Sequence, residues 1–121
     1  MVLCQSSAIL RALGIRFGYY STDPKVMWEI DSLLDFMEEG YPQAVGMGFK
    51  AMNNIEPTEE DMEKWELYFD KYVPFLAGRL EKHGQNYIAG TERLTIADLK
   101  VFQVFVLILE HPENGTPLEA K

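Results

Sequence analysis

Four residues, Thr95-Ile96-Ala97-Asp98, constrain this 121-residue chain more than any other stretch. A hydroxyl followed three positions later by a carboxylate marks a helix start. The Thr95 oxygen can take the Asp98 amide while the carboxylate reaches back to Thr95, and Leu94 and Leu99 flank the box as a hydrophobic staple. The helix launched there, to about Leu109, is apolar nearly all round, with Lys100 and Gln103 as its polar exceptions. A helix with so little wet face belongs at the centre of a bundle. Its apolar run, residues 101–109, is too short to span a bilayer.

The rest of the chain can supply the surrounding helices. Ile9, Leu10 and Leu13 stand at helical spacing, with Ser6 able to cap the start and Gly14 able to end a short helix over 6–13. A Gly- and Tyr-rich loop, "GIRFGYYS", follows. Asp23 and Pro24 then form a cap and first-turn pair. Val26, Ile30, Leu33, Leu34 and Met37 make one apolar stripe of a long helix, with Lys25, Glu29, Asp35 and Glu39 on the opposite face. Gly40, Pro42, Gly46 and Gly48 punctuate what comes next, which is either a bent continuation of that helix or a loop. Thr58 to Asp61 resembles a second capping box and opens a helix carrying Trp65, Phe69, Tyr72, Leu76 and Leu80 on one face. Pro74 should kink or divide it, and Gly84 should stop it. "NYIAG", residues 86–90, reads as extended. The tail, residues 111–121, has the Pro, Gly and charged content of a disordered end. The predicted fold is all-α, three or four main helices packed together.

Composition narrows function more than fold. Nineteen acidic against eleven basic side chains give a net charge of −8, which disfavours partners with anionic backbones or surfaces: no nucleic acid and no membrane are expected. Cys4 is the single cysteine, so no internal disulfide forms, and a reducing, cytoplasmic setting follows.

Two stretches together resemble the glutathione transferases. "QSSAILRALG" is similar to the Gln-Ser-x-Ala-Ile-x-Arg-Tyr-Leu segment that begins the last helix of their thioredoxin-like first domain. "YIAGTERLTIADLKVF" is similar to their second-domain hallmark, an aromatic and a Gly ahead of a Ser/Thr-x-x-Asp box on the central helix. The resemblance covers roughly residues 3–109, and the nearest likeness is to the mu, pi and sigma group. It implies that residues 1–20 are a remnant of the thioredoxin-like domain, its last helix and linker. Residues 21–121 are then the C-terminal-type helical domain. The family's catalytic Tyr, Ser or Cys, the cis-proline loop that grips glutathione and the closing helices have no counterpart here. The expectation is a truncated form, a fragment or a natural truncation, inactive in isolation and with no catalytic residue of its own.

A helix start such as Ser6, with hydroxyl, amides and dipole, suits a carboxylate, although a Ser there is more often only a cap. The resemblance implies that the ligand is the γ-glutamyl carboxylate of glutathione, a co-substrate rather than a cofactor, held weakly by Ser6 and Gln5. Asp35, Glu38 and Glu39 read as a solvated acidic face. Glu39 aligns with the acidic residue that, in the family dimer, reaches the glutathione amino group of the other subunit. Phe49 falls where several relatives place a pocket Tyr; it can line a hydrophobic pocket but cannot donate a proton. Cys4 lies ahead of a helix start, yet no base stands near it in sequence. His83 and His111 are read as surface residues with no metal-site spacing, the Trp65–Phe69–Tyr72 stripe as core, and Thr95 and Asp98 as folding residues. A second class of function is a non-catalytic assembly module. Its contact surface would be the long helix after Asp23, the family's dimer surface, with Tyr19, Tyr20, Met27 and Trp28 exposed.

Overall fold

A computed structural model describes residues 5–84 and 87–109. Among them are four helices and no strand: α1 (Ser6–Phe17), α2 (Pro24–Met52), α3 (Glu59–His83) and α4 (Ile96–Leu109). Helix α2 is the spine, packing most extensively against α4 and then α3, while α1 lies against the start of α4. Their shared core holds Ile30, Leu33, Leu34 and Met37 from α2, Tyr68, Tyr72 and Leu76 from α3, and Ile96, Ala97 and Val104 from α4.

Helices α2, α3 and α4 each begin with identifiable chemistry. The Asp23 carboxylate accepts the Lys25 and Val26 amides at 2.8 and 3.3 Å, with Pro24 in the first turn. Both halves of the Thr58–Asp61 box form: Asp61 N–H donates to Thr58 Oγ1 at 3.2 Å, and Thr58 N–H to Asp61 Oδ2 at 2.7 Å. Lys50, near the end of α2, pairs with the same Asp61 carboxylate. Before α4, Asp98 accepts the Thr95 amide at 2.8 Å, the Thr95 hydroxyl at 2.9 Å and the Ile88 amide at 2.8 Å.

Several expectations need correction. Helix α1 does not stop at Gly14 but runs on through Ile15, Arg16 and Phe17 to Gly18, which takes the left-handed conformation at φ +79° and closes it. Gly14 is needed for packing instead, since a Cβ there would meet Ile96 Cγ2 at 2.8 Å. The Gly- and Pro-punctuated segment after residue 40 is helix throughout. At Gly40 the α2 backbone lies so close to Tyr68 and Tyr72 that a Cβ would stand 2.5 Å from the Tyr72 ring. That intimate packing holds the helix together across Pro42. Pro74 does not divide α3; it is exposed, where water can hydrate the carbonyl it leaves unbonded. Residues 87–90 form a turn rather than an extended strand, with the Gly90 amide donating to Tyr87 O at 3.1 Å. Asn86 and the tail, residues 111–121, lie outside the described residues.

Burial also departs from the pattern at four places. Glu29 was expected on the wet face of α2 but is buried, facing Arg79 and Lys82 at the end of α3. Leu80 is 40% exposed although it continues the α3 stripe, and Tyr68 takes the inner position instead. On α4, Phe102 and Gln103 are exposed, whereas Lys100, the polar exception, is 1% exposed. One side of α4 is therefore wet, and its lysine is on the dry side.

Removing the Asp98 carboxylate strips the acceptor from three donors, one of them the partly buried Ile88 amide. Asp98→Ala is expected to cost about 2–3 kcal/mol in urea denaturation. Asp98→Asn, which keeps an acceptor oxygen, should cost clearly less; equal losses would show that the carboxylate acts only by filling space.

Candidate functional site

At the start of α1, Glu38 of α2 meets the first turn, with Lys100 of α4 behind it. Gln5 occupies the N-cap position at φ +70°, ψ 114°, and its side chain makes no capping bond. For a non-glycine residue that backbone costs on the order of 1–3 kcal/mol, a kind of strain that concentrates at functional sites. Ser6 is the first helical residue rather than the cap, which corrects the role expected for it. The first helical hydrogen bond runs from the Ile9 amide to Gln5 O at 3.0 Å. The amides of Ser6, Ser7 and Ala8 thus lie in the first turn, where no intrahelical acceptor exists. Gln5 and Ser6 are both exposed.

Beside that turn stands a carboxylate with a buried counter-ion. The Ser7 hydroxyl donates to Glu38 Oε2 at 3.4 Å, and Lys100 Nζ donates to the same oxygen at 2.7 Å. The Glu38 side chain is 44% exposed, that of Lys100 only 1%. Lys100 Nζ also lies 4.8 Å from the Tyr41 ring centroid, so the ring face helps to solvate it. Lys100, aided by the Ser7 and Ser6 hydroxyls, holds the Glu38 carboxyl below its ordinary value. Glu38 is thereby kept as a carboxylate whose charge is offset by Lys100, beside the positive end of the helix dipole.

The other candidates lie apart. Glu39, one residue further along α2, is exposed and pairs with Lys71 of α3 at 3.1 Å. Phe49 is 60% exposed, about 15 Å further along the same helix. Near it a cleft of about 250 Å³ opens between α2 and α3, lined among others by Met47, Lys50 and Trp65. Cys4 and His111 lie outside the described residues.

Two further clusters fasten α2 to its neighbours. Arg11 binds Asp31 at 2.7 Å and Asp35 at 3.1 Å, and the Tyr20 hydroxyl donates to Asp31 at 2.8 Å. Tyr20 and Met27 are consequently half-buried rather than exposed, while Trp28 and Tyr19 are exposed at 61% and 44%. At the other cluster Glu29 pairs with Arg79 and meets Lys82 at 3.5 Å. His83 Nε2 stands 3.9 Å from that carboxylate, and the imidazole is half-buried against Gly90, not on the surface as expected. Trp65 and Tyr72 belong to the core, with Phe69 packed at its edge. Tyr68 is buried with no hydrogen-bond partner for its hydroxyl among the described residues, and burial pushes the phenol up to about 12.

Sequence reasoning singled out Gln5, Ser6, Thr95 and Asp98 but passed over the Glu38–Lys100 pair. A signal was present: a lone lysine inside an otherwise apolar helix, if buried, has to find a carboxylate.

Comparison with known proteins adds the following. Residues 47–120 match the family described as "Glutathione S-transferase, C-terminal domain". Glutathione S-transferase 1 of Ascaris suum is 33% identical over 107 residues, covering 83% of this chain and 49% of that protein. Glutathione S-transferase alpha-4 of Rattus norvegicus is 26% identical over 110 residues, 91% of this chain and 48% of that protein. Glutathione S-transferase alpha M14 of Sus scrofa is 26% identical over 113 residues, with the same two shares of 91% and 48%. The chain spans about half the length of the curated relatives it matches. No solved structure matches at the same stringency.

The His83 cluster makes stability depend on pH. Burial first, then Lys82, Arg79 and Lys25, hold His83 below its ordinary 6.5. The unfolded chain therefore takes up this proton more readily than the fold. The stability contribution is fully present above about pH 6.5 and is lost as pH falls through the lower folded value. Thermal scans from about pH 7.5 to 5.5 should show a fall in Tm that His83→Gln lessens. Parallel profiles for the two proteins would show that His83 does not titrate with folding.

Proposed function

Since the chain belongs to the glutathione S-transferase family, we propose that it is the helical half of a glutathione transferase-type protein. On this reading it carries the part of the glutathione site that holds the γ-glutamyl end and not the part that activates the sulfur. The observation that carries the reading is the exposed, strained start of α1, with Ser6 in its first turn and Glu38 beside it neutralised by Lys100. The ligand carboxylate would take the first-turn amides and the Ser6 hydroxyl, and Gln5 would bond the same moiety. In the intact family the reaction is attack of the glutathione thiolate on an electrophile, with a first-domain hydroxyl or thiol stabilising the thiolate. No residue of this chain corresponds to that group, so the isolated chain binds weakly and does not turn over. Phe49 would line the electrophile pocket without acting as an acid.

The exposed apolar side chains of α1 support the same reading. Leu13 and Phe17, one turn apart on the same side, are 43% and 63% exposed, and Ile15 on the opposite side is 66% exposed, so apolar groups suited to packing against another domain remain open to solvent.

A second reading, an assembly module, also has an observation behind it. Exposed Trp28 lies beside Arg79, and exposed Lys71 lies over the partly buried Phe36 ring, so cations and aromatic rings meet along α2 and α3. Such a surface suits a homodimer, and in a dimer Glu39 would stand where it could meet the glutathione amino group bound to the other subunit. The lone cysteine fits a cytoplasmic location. Among the described residues no helix is long and apolar enough to cross a membrane.

Isothermal titration of the 121-residue chain with glutathione is expected to give a Kd of about 1 mM or weaker. Ser6→Ala should weaken it several-fold, and a conjugation assay should stay at the spontaneous rate. Turnover well above that rate would overturn the inactive reading, and a Ser6→Ala chain that binds like wild type would remove the site from α1. Light scattering should find a dimer that Trp28→Ala weakens; a strict monomer at all concentrations would exclude the assembly reading.

A further inference from the structure

The function proposed above uses Gln5 and Ser6 but leaves unexplained why a lysine is buried 95 positions away in the sequence, on the helix at the centre of the fold. Lys100 is 1% exposed, and among the described residues its ammonium meets the Glu38 carboxylate at 2.7 Å and the Tyr41 ring at 4.8 Å. A methionine would fill the same space without the cost of desolvating a charge. What the charge does is hold Glu38 in place, because a carboxylate 44% open to water would otherwise sample several rotamers. Glu38 in turn receives the Ser7 hydroxyl at 3.4 Å, from the first turn of α1. The middle of α1 is fastened separately, by Arg11 to Asp31 and Asp35. Among the described residues two independent ties therefore hold α1 to α2, and of these the one through Glu38 reaches the end where Gln5 and Ser6 stand.

We propose that Lys100 is a positioning residue for this end of the site: through Glu38 and Ser7 it holds the first turn of α1, and with it Gln5 and Ser6, in the geometry that accepts a carboxylate. The inference deepens the glutathione reading and rests on it for the ligand, but the relay itself is tested without ligand.

The test is amide hydrogen exchange on the 121-residue chain and three variants. Ile9, whose amide donates to Gln5 O at 3.0 Å, reports on the first turn. The Ile15 amide, in the last turn beyond Arg11, is the control. Lys100→Met is expected to speed Ile9 exchange on the order of tenfold, and Glu38→Gln and Ser7→Ala a few-fold, with Ile15 unchanged. Because Ser7→Ala touches only the surface link, it remains informative if Lys100→Met does not fold. In titrations with glutathione the same variants should lose affinity in the same order. Ile9 exchange at the wild-type rate in the folded variants, or equal acceleration at Ile9 and Ile15, would overturn the relay. A wild-type chain that shows no glutathione binding would overturn the ligand reading, while the exchange data would still decide the relay.

Discussion

The Asp98 carboxylate is the interaction on which the rest of the structure depends. It gathers three donors from two backbone segments, the Thr95 amide and hydroxyl at the helix start and the Ile88 amide ten residues earlier. Through them it fixes the turn at residues 87–90 against the first turn of α4 and keeps Ile88, Ala89 and Ile96 buried. The Ile96 amide then donates to Tyr19 O at 3.0 Å, and Ile96 lies under Gly14 of α1. One carboxylate thus sets where α4 begins, and that beginning sets where α1 lies. Local chemistry at a cap has long-range consequences here because the capped helix is the one the others pack around.

Charge completes the positioning that apolar packing leaves loose. Leu, Ile and Met in the spine helix can slide against neighbours at little cost, since burial energy follows area and carries little direction. The ion pairs are directional. Arg11 fixes α1 on α2, the Arg79–Glu29 pair fixes the end of α3 on the start of α2, and Lys100–Glu38 ties α4 to α2. In this last pair the cation is enclosed and the carboxylate partly wet. The pair therefore retains some of its hydration, and its role is to define geometry more than to add stability. An acidic chain of net charge −8 uses a substantial part of its scarce cationic side chains in these three ties.

Much of this was legible in the sequence wherever the governing interaction is local. The Asp23 and Thr58 caps, the Gly84 stop and the stripe from Ile30 to Met37 depend on residues within a few positions of one another, and the structure bears them out. Illegible features were those decided by contacts distant in sequence. Gly14 looked like a terminator because glycine's conformational freedom and its lack of a side chain leave the same mark, and only Ile96 shows which is used. The second half of α2 carries three glycines and a proline, and the partners that hold it helical, Tyr68 and Tyr72, lie about thirty residues on. Glu38 and Lys100 are 62 positions apart, so a carboxylate on the solvated acidic face also serves as the partner of a buried lysine. For the site the same division holds. Motif likeness pointed to Gln5 and Ser6, whereas the Glu38–Lys100 pair beside them is visible only in the fold.

The ties of α1 bear directly on how a chain about half the length of its relatives could keep part of a site. Every ion pair and side-chain hydrogen bond described for α1 runs to α2, and its backbone packing runs to α4. The site proposed at its start would therefore be organised by the helical bundle, whatever else covers the exposed Leu13 and Phe17. Binding of a carboxylate and activation of a thiol are then separable in physical terms. The first needs only a positioned helix start with its amides unshielded, and the second needs a group that stabilises developing negative charge on sulfur. On the proposed reading, a bundle with the first and not the second would hold a carboxylate without committing a thiol to reaction, and the functional weight would then fall on the geometry of a single helical turn.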